Sequence, residues 1–114
     1  MIYLDNAATT ALSPAAIESM TQAMTIFGNP SSTHSHGREA NKLLRQARED
    51  IAKVLHTQSK NVLFTSGGTE SNNTAIKGYA LRHQDQGKHI ITTAIEHHAV
   101  LEPVEYLVEH FGFE

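Results

Sequence analysis

Two short runs rich in apolar and β-branched residues, at 61–65 and 89–93, each feed through a polar turn into a long helical pattern. This alternation constrains the fold more than any other feature of the chain. Short buried strands interleaved with long helices predict an α/β architecture, with a parallel or mixed sheet covered by helices. Two strands cannot make such a sheet, because wide apolar faces and unpaired edges would remain. His110-Phe111-Gly112-Phe113-Glu114 reads as a helix end leading into a further strand. The expectation is therefore the N-terminal piece of a larger protein, ending in mid-domain.

The helical segments are marked by their caps and stripes. Ser13-Pro14 supplies an N-cap hydroxyl and a proline at the first helical position, followed by Ile17, Met20 and Met24 at helical spacing. Gly28-Asn29-Pro30 ends that helix and opens a loop through His36. A longer helix is expected from about Arg38 to Leu55, with Ala40, Leu44, Ala47, Ile51 and Val54 on one face. Further helices are expected from Thr69 to Arg82 and from Ala99 to Phe111, with Gly112 as the C-terminal cap. Pro103 is expected near the first turn of the last helix, where a missing N–H costs little. Residues 2–4 suit a short strand before a turn at Asp5-Asn6.

Composition excludes several classes. The 114 residues suffice for one modest domain, 39% apolar and 18% charged, as in ordinary globular proteins. A net charge of −3 argues against a general nucleic-acid binder. No apolar run approaches a membrane span, and MIYLDNAATT lacks a secretory signal, so the cytoplasm is the default compartment. Without cysteine, neither a disulfide framework nor a thiolate zinc site is possible.

Four stretches carry candidate chemistry. In FTSGGTESNN, residues 64–73, adjacent glycines and hydroxyls stand at the mouth of a helix. Unpaired N–H groups there favour an anion, most often a phosphate, with Ser66 and Thr69 as added donors. The same residues also suit a plain strand-to-helix turn with a hydroxyl cap. Neither GxxxxGK[ST] nor GxGxxG is present. AIEHHAV, residues 94–100, sits at the equivalent edge after the second expected strand. At most one of its two adjacent histidines would face a site, to stack on a flat ring or move protons; a solvated cap is the other reading. No zinc-binding pattern is evident there. YLDNAATT, residues 3–10, and GNPSSTHSHG, residues 28–37, are polar segments; both also suit plain turns, and His34 and His36 are possible ligands.

Together, in order and spacing, these four stretches resemble the cysteine desulfurases of the nitrogen-fixation and iron–sulfur-assembly type, within the class V aminotransferases. The SGGTESN form is similar to the branch that works with a scaffold protein. The resemblance covers essentially the whole chain. It implies part of the large domain of an aspartate-aminotransferase-like, fold type I enzyme dependent on pyridoxal 5′-phosphate. Residues 1–15 would pack with a small domain, and residues 16–114 would form the first part of the cofactor-binding large domain. Carried over by position, Gly68 and Thr69 would bind the cofactor phosphate. His97 would stack on the pyridine ring and take part in proton transfer. The substrate would be L-cysteine, giving L-alanine and a persulfide for an iron–sulfur scaffold or another sulfur acceptor, in a homodimer. The family's Schiff-base lysine, ring-nitrogen aspartate, carboxylate-binding arginine and persulfide cysteine all come later than the region represented. Lys42, Lys53, Lys60, Lys77 and Lys88 do not match the lysine motif. The chain alone is expected to be inactive and to bind the cofactor weakly or not at all. A selenocysteine lyase, another class V aminotransferase or a non-catalytic binding module are the alternatives.

Overall fold

A computed structural model describes residues 2–114. It divides into two compact units, one up to Val62 and one spanning Leu63–Glu114.

The first unit holds two helices. In α1 (Pro14–Met24) the Ser13 hydroxyl accepts the Ala16 N–H at 3.2 Å, and Pro14 needs no N–H partner. In α2 (Ser35–Val54) the ring of His34 caps the helix, its Nδ1 accepting the Gly37 N–H at 3.3 Å. That cap starts the helix three residues earlier than the sequence suggests, because the expectation did not count an imidazole as a capping acceptor. Ala23, Ile26 and Pro30 line an apolar hollow of about 300 Å³ with Ala40, Leu44 and Ala47, so the expected stripe is partly covered. Farther along, Ala52 is buried while Val54 is exposed. A short 3-10 turn, Ser59–Asn61, packs against α2.

The loop ahead of α2 is tied down. Asn29 Oδ1 accepts the Ser31 N–H at 2.9 Å, and Asn41 Nδ2 donates to the Pro30 carbonyl at 3.1 Å. Arg38 donates to the Thr33 carbonyl. Gly37 is buried beneath this loop, and a Cβ there would run into the Ser32 carbonyl oxygen.

In the second unit α3 (Gly68–Arg82) packs against α4 (His98–Phe111). Ala99, Pro103, Leu107 and Phe113 are buried there. Pro103 lies in the second turn of α4, deeper than expected, and its ring is fully buried. Its lost N–H leaves the Ala99 carbonyl without its helical donor, and the buried pyrrolidine contributes apolar packing instead. Gly112 ends the helix in the left-handed region at φ 67°, as the sequence suggests.

The expected strands at 2–4, 61–65 and 89–93 are not present; no strand occurs among the described residues. A strand exists only through its ladder, and these segments have almost nothing to pair with. One rung does form. Ile90 N–H donates to the Glu114 carbonyl and Glu114 N–H to the Lys88 carbonyl, both at 2.8 Å. A residue bonding in this way to two residues flanking one position opposite is the pattern of a parallel pair.

Candidate functional site

The turn before α3 is shaped by carboxylate and hydroxyl bonds. Glu70 turns back and accepts both the Ser66 N–H at 2.7 Å and the Ser66 hydroxyl at 2.6 Å. These bonds, the hydroxyl's first and then the amide's, hold the Glu70 carboxyl below its ordinary value. Thr65 and Ser71 hydroxyls meet at 2.6 Å across the base of the same turn. The first helical bond runs from Ser71 N–H to the Gly67 carbonyl at 3.0 Å. The N–H groups of Gly68, Thr69 and Glu70 are therefore the orphan donors of this helix.

Gly67 is extended, with φ 167° and ψ −176°, a backbone that any residue adopts. The glycines are not there for conformation. A Cβ at Gly67 or Gly68 would meet no atom within 4 Å. What glycine provides is open space for a ligand to approach the backbone. Thr69 is exposed and keeps a free hydroxyl, whereas the Ser66 hydroxyl, expected to be a second donor to a ligand, is spent on Glu70.

His97 caps α4. Its Nδ1 accepts the Ala99 N–H at 3.0 Å, so the neutral ring in this pose carries its proton on Nε2. The adjacent ring of His98 is turned by 72°, with centroids 6.4 Å apart, and its Nδ1 lies 3.9 Å from the Glu102 carboxylate. The two rings are thus oriented differently, as their adjacency suggests. Thr93 donates to Glu96 at 3.0 Å, pinning the turn that leads to His97.

Gly68, Thr69 and His97 stand at the starts of two helices packed against each other. Lys77 Nζ sits 4.3 Å from the Tyr106 ring centroid. Lys77 lies as many residues past Gly68 as Tyr106 lies past His97. The other lysine of this unit, Lys88, donates to the Phe111 carbonyl at 2.6 Å, at the C-terminal end of α4. Neither lysine is near a helix start in sequence. The sequence reading missed Glu70, although a carboxylate at the third position of a helix is the usual sign of one folding back over its N-terminus.

The class-V aminotransferase family model matches residues 2–114. A cysteine desulfurase IscS of Dictyoglomus turgidum is 54% identical over 99% of this chain, and an IscS-like cysteine desulfurase of Mycobacterium tuberculosis is 50% identical over 98%. The chain spans 29% of the length of each. Among solved structures, a NifS-like protein superposes with TM-score 0.89 at 42% identity, over 99% of this chain and 31% of its own. DndA from Streptomyces lividans does so with TM-score 0.78 at 44% identity, over 99% of this chain and 32% of its own.

Proposed function

The chain belongs to the class-V aminotransferase family, and from that premise we propose that it is the part of a pyridoxal 5′-phosphate-dependent cysteine desulfurase that holds the cofactor's phosphate and ring. The observation that carries the reading is the α3 turn: consecutive unpaired N–H groups at Gly68 and Thr69, a free Thr69 hydroxyl and no side chain over Gly67 or Gly68. These residues fit a phosphate. The packing of α3 on α4, with Lys77 against the Tyr106 ring, supports assigning the two helix starts to one site.

When bound, the cofactor supplies an electron sink that lets the carbon–sulfur bond of L-cysteine break, leaving L-alanine. The chain's own residues do the rest of what this region contributes. The Gly68 and Thr69 N–H groups would hold the phosphate and offset its charge. His97 would stack on the ring. With Nδ1 held by Ala99, any proton it moves travels through Nε2. Glu70 takes the Ser66 amide and hydroxyl, so the Gly68 and Thr69 amides and the Thr69 hydroxyl would be the donors left for the phosphate.

The sulfur would pass to a cysteine outside this chain, which has none, and then to an iron–sulfur scaffold or another acceptor in a homodimeric, cytoplasmic parent enzyme of fold type I. Residues 1–15 would pack with its small domain, and residues 16–114 would open the large domain. The chain alone is inactive in this reading.

The test is a site-resolved NMR titration of the chain with pyridoxal 5′-phosphate and, separately, with pyridoxal. The phosphate form should move Gly68 and Thr69 amides together with His97 ring protons; pyridoxal should leave the amides still. Gly68→Ala should weaken the response without lowering the melting temperature, since a Cβ there meets no protein atom. His97→Asn, which keeps a capping acceptor, should abolish the ring contact and leave α4 intact. The chain alone is expected to hold the cofactor weakly at best, so the titration runs to the cofactor's solubility limit; movement of one of the two spots without the other would sink the proposal.

A further inference from the structure

We propose that the cleft along the first half of α2 binds a small oxyanion carrying two or more negative charges. The GNPSSTHSHG loop forms one wall of the cleft and α2 the other, around a volume of about 490 Å³. That lies within the range of small-ligand sites, which is roughly 300–1,000 Å³. Arg38, Lys42 and Arg45 line it at a spacing that places all three on one helix face. No carboxylate lines it. In a chain of net charge −3, such a concentration of positive charge is not explained by composition.

The cations are poorly compensated. Lys42 has no partner among the described residues. Arg38 spends one donor on the Thr33 carbonyl, a neutral group that leaves its charge in place. Among the described residues Arg45 has only the half-exposed carboxylate of Glu49, at 3.7 Å. Like charges one helical turn apart repel, and a multivalent anion between them would remove that repulsion. The hydroxyls of Ser32 and Thr33 complete the wall, with no partners of their own among the described residues. The wall is already built: buried Gly37 admits the loop, and Asn41 and Arg38 tie it to the helix. A multivalent oxyanion matches this set. Guanidinium groups grip phosphate-like oxygens in pairs, the ammonium adds a point charge, and hydroxyls take the remaining oxygens.

The full chain, isotopically labelled, is titrated at constant ionic strength with pyrophosphate, with phosphoserine and with a hexaglutamate peptide. Saturable shifts of Ser32 and Thr33 amides and of Arg38 and Arg45 side-chain signals, with pyrophosphate or phosphoserine, are the expected result. Which of the two saturates first tells a free anion from an ester-borne one. Lys42→Gln and Arg45→Gln should each weaken binding about tenfold, the loss of one charge-assisted bond. Neither residue ties the loop, so both variants keep the fold, and wild-type dispersion in their spectra checks this. Gly68 and Thr69 report the α3 turn separately in the same spectra. Linear, unsaturated drift equal in wild type and variants would overturn the proposal. So would saturation by hexaglutamate alone, which would make the cleft a docking place for an acidic protein segment.

Discussion

At the residue scale, Glu70 is the side chain with most to say. It is fully exposed, yet two bonds from Ser66 depress its pKa below the ordinary 4.5. A carboxyl depressed in the folded state contributes stability that is fully present above its unfolded value and lost as pH falls through its folded one. The consequence is a pH signature confined to the acid range. Glu70→Gln keeps an acceptor for Ser66 but cannot titrate. The melting temperatures of wild type and variant should differ by a constant amount at neutral pH. As pH drops below about 4.5 the wild type should lose ground to the variant, in line with this linkage. A gap unchanged down to pH 3 would mean that Glu70 titrates as it does in an unfolded chain. The same side chain shows why site reading from sequence stops short. Gly68 and Thr69 announce an anion site by type and position, but which hydroxyl is free depends on where the Glu70 carboxylate folds. Ser66 reads as a donor to ligand and is instead a donor to Glu70.

At the element scale, two glycines sort by backbone rather than by contact. Gly112 stands at φ 67° after α4, and Gly78 in the middle of α3; a Cβ at either would meet no atom within 4 Å. With sterics removed, conformation alone decides. Gly112→Ala must hold a left-handed residue and should cost roughly 1–2 kcal/mol. Gly78→Ala gains helix propensity and should stabilise by about 0.5–1 kcal/mol. Denaturant melts of the two variants should therefore shift in opposite directions; shifts of the same sign would contradict the backbone account. The helices themselves were legible. Periodicity and caps locate all four, with the largest errors at the end of α1, which stops at Met24 ahead of the expected Gly28 turn, and at the start of α2, where His34 acts as cap. The strands were legible as segments but not as structure. VLF and HIITT carry the composition of buried strands, but a ladder is a property of neighbours, and among the described residues the one such neighbour is Glu114 across from Lys88 and Ile90. The basic cleft was not legible at all, because Arg38, Lys42 and Arg45 read as the solvated side of an amphipathic helix until the loop folds over them.

At the scale of the whole molecule the decisive quantity is surface. The chain exposes 9393 Å². A single globule of 12.5 kDa would expose about 6,200 Å², and two separate globules of half that mass about 7,400 Å² together. The excess over even the two-globule figure is about 2,000 Å², the total area of a stable protein–protein interface. Much of it is apolar: Ile91 is 87% exposed, Ile2 85% and Leu63 74%. Among the described residues the buried apolar side chains, Ala52, Ala99, Leu107 and Phe113 with the ring of Pro103, make a small core. Surface of that size and character drives association, since covering it with a second copy removes the same apolar area from water. Sedimentation should show mass increasing with concentration across the micromolar range, with strong binding of a hydrophobic dye that falls as association proceeds. The melt should be broad and shift upward with protein concentration, because assembly stabilises by mass action. A monomer at high concentration that melts sharply and binds no dye would show that these side chains find cover within the chain, and the exposed faces at 62–65 and 89–93 would then need a different explanation.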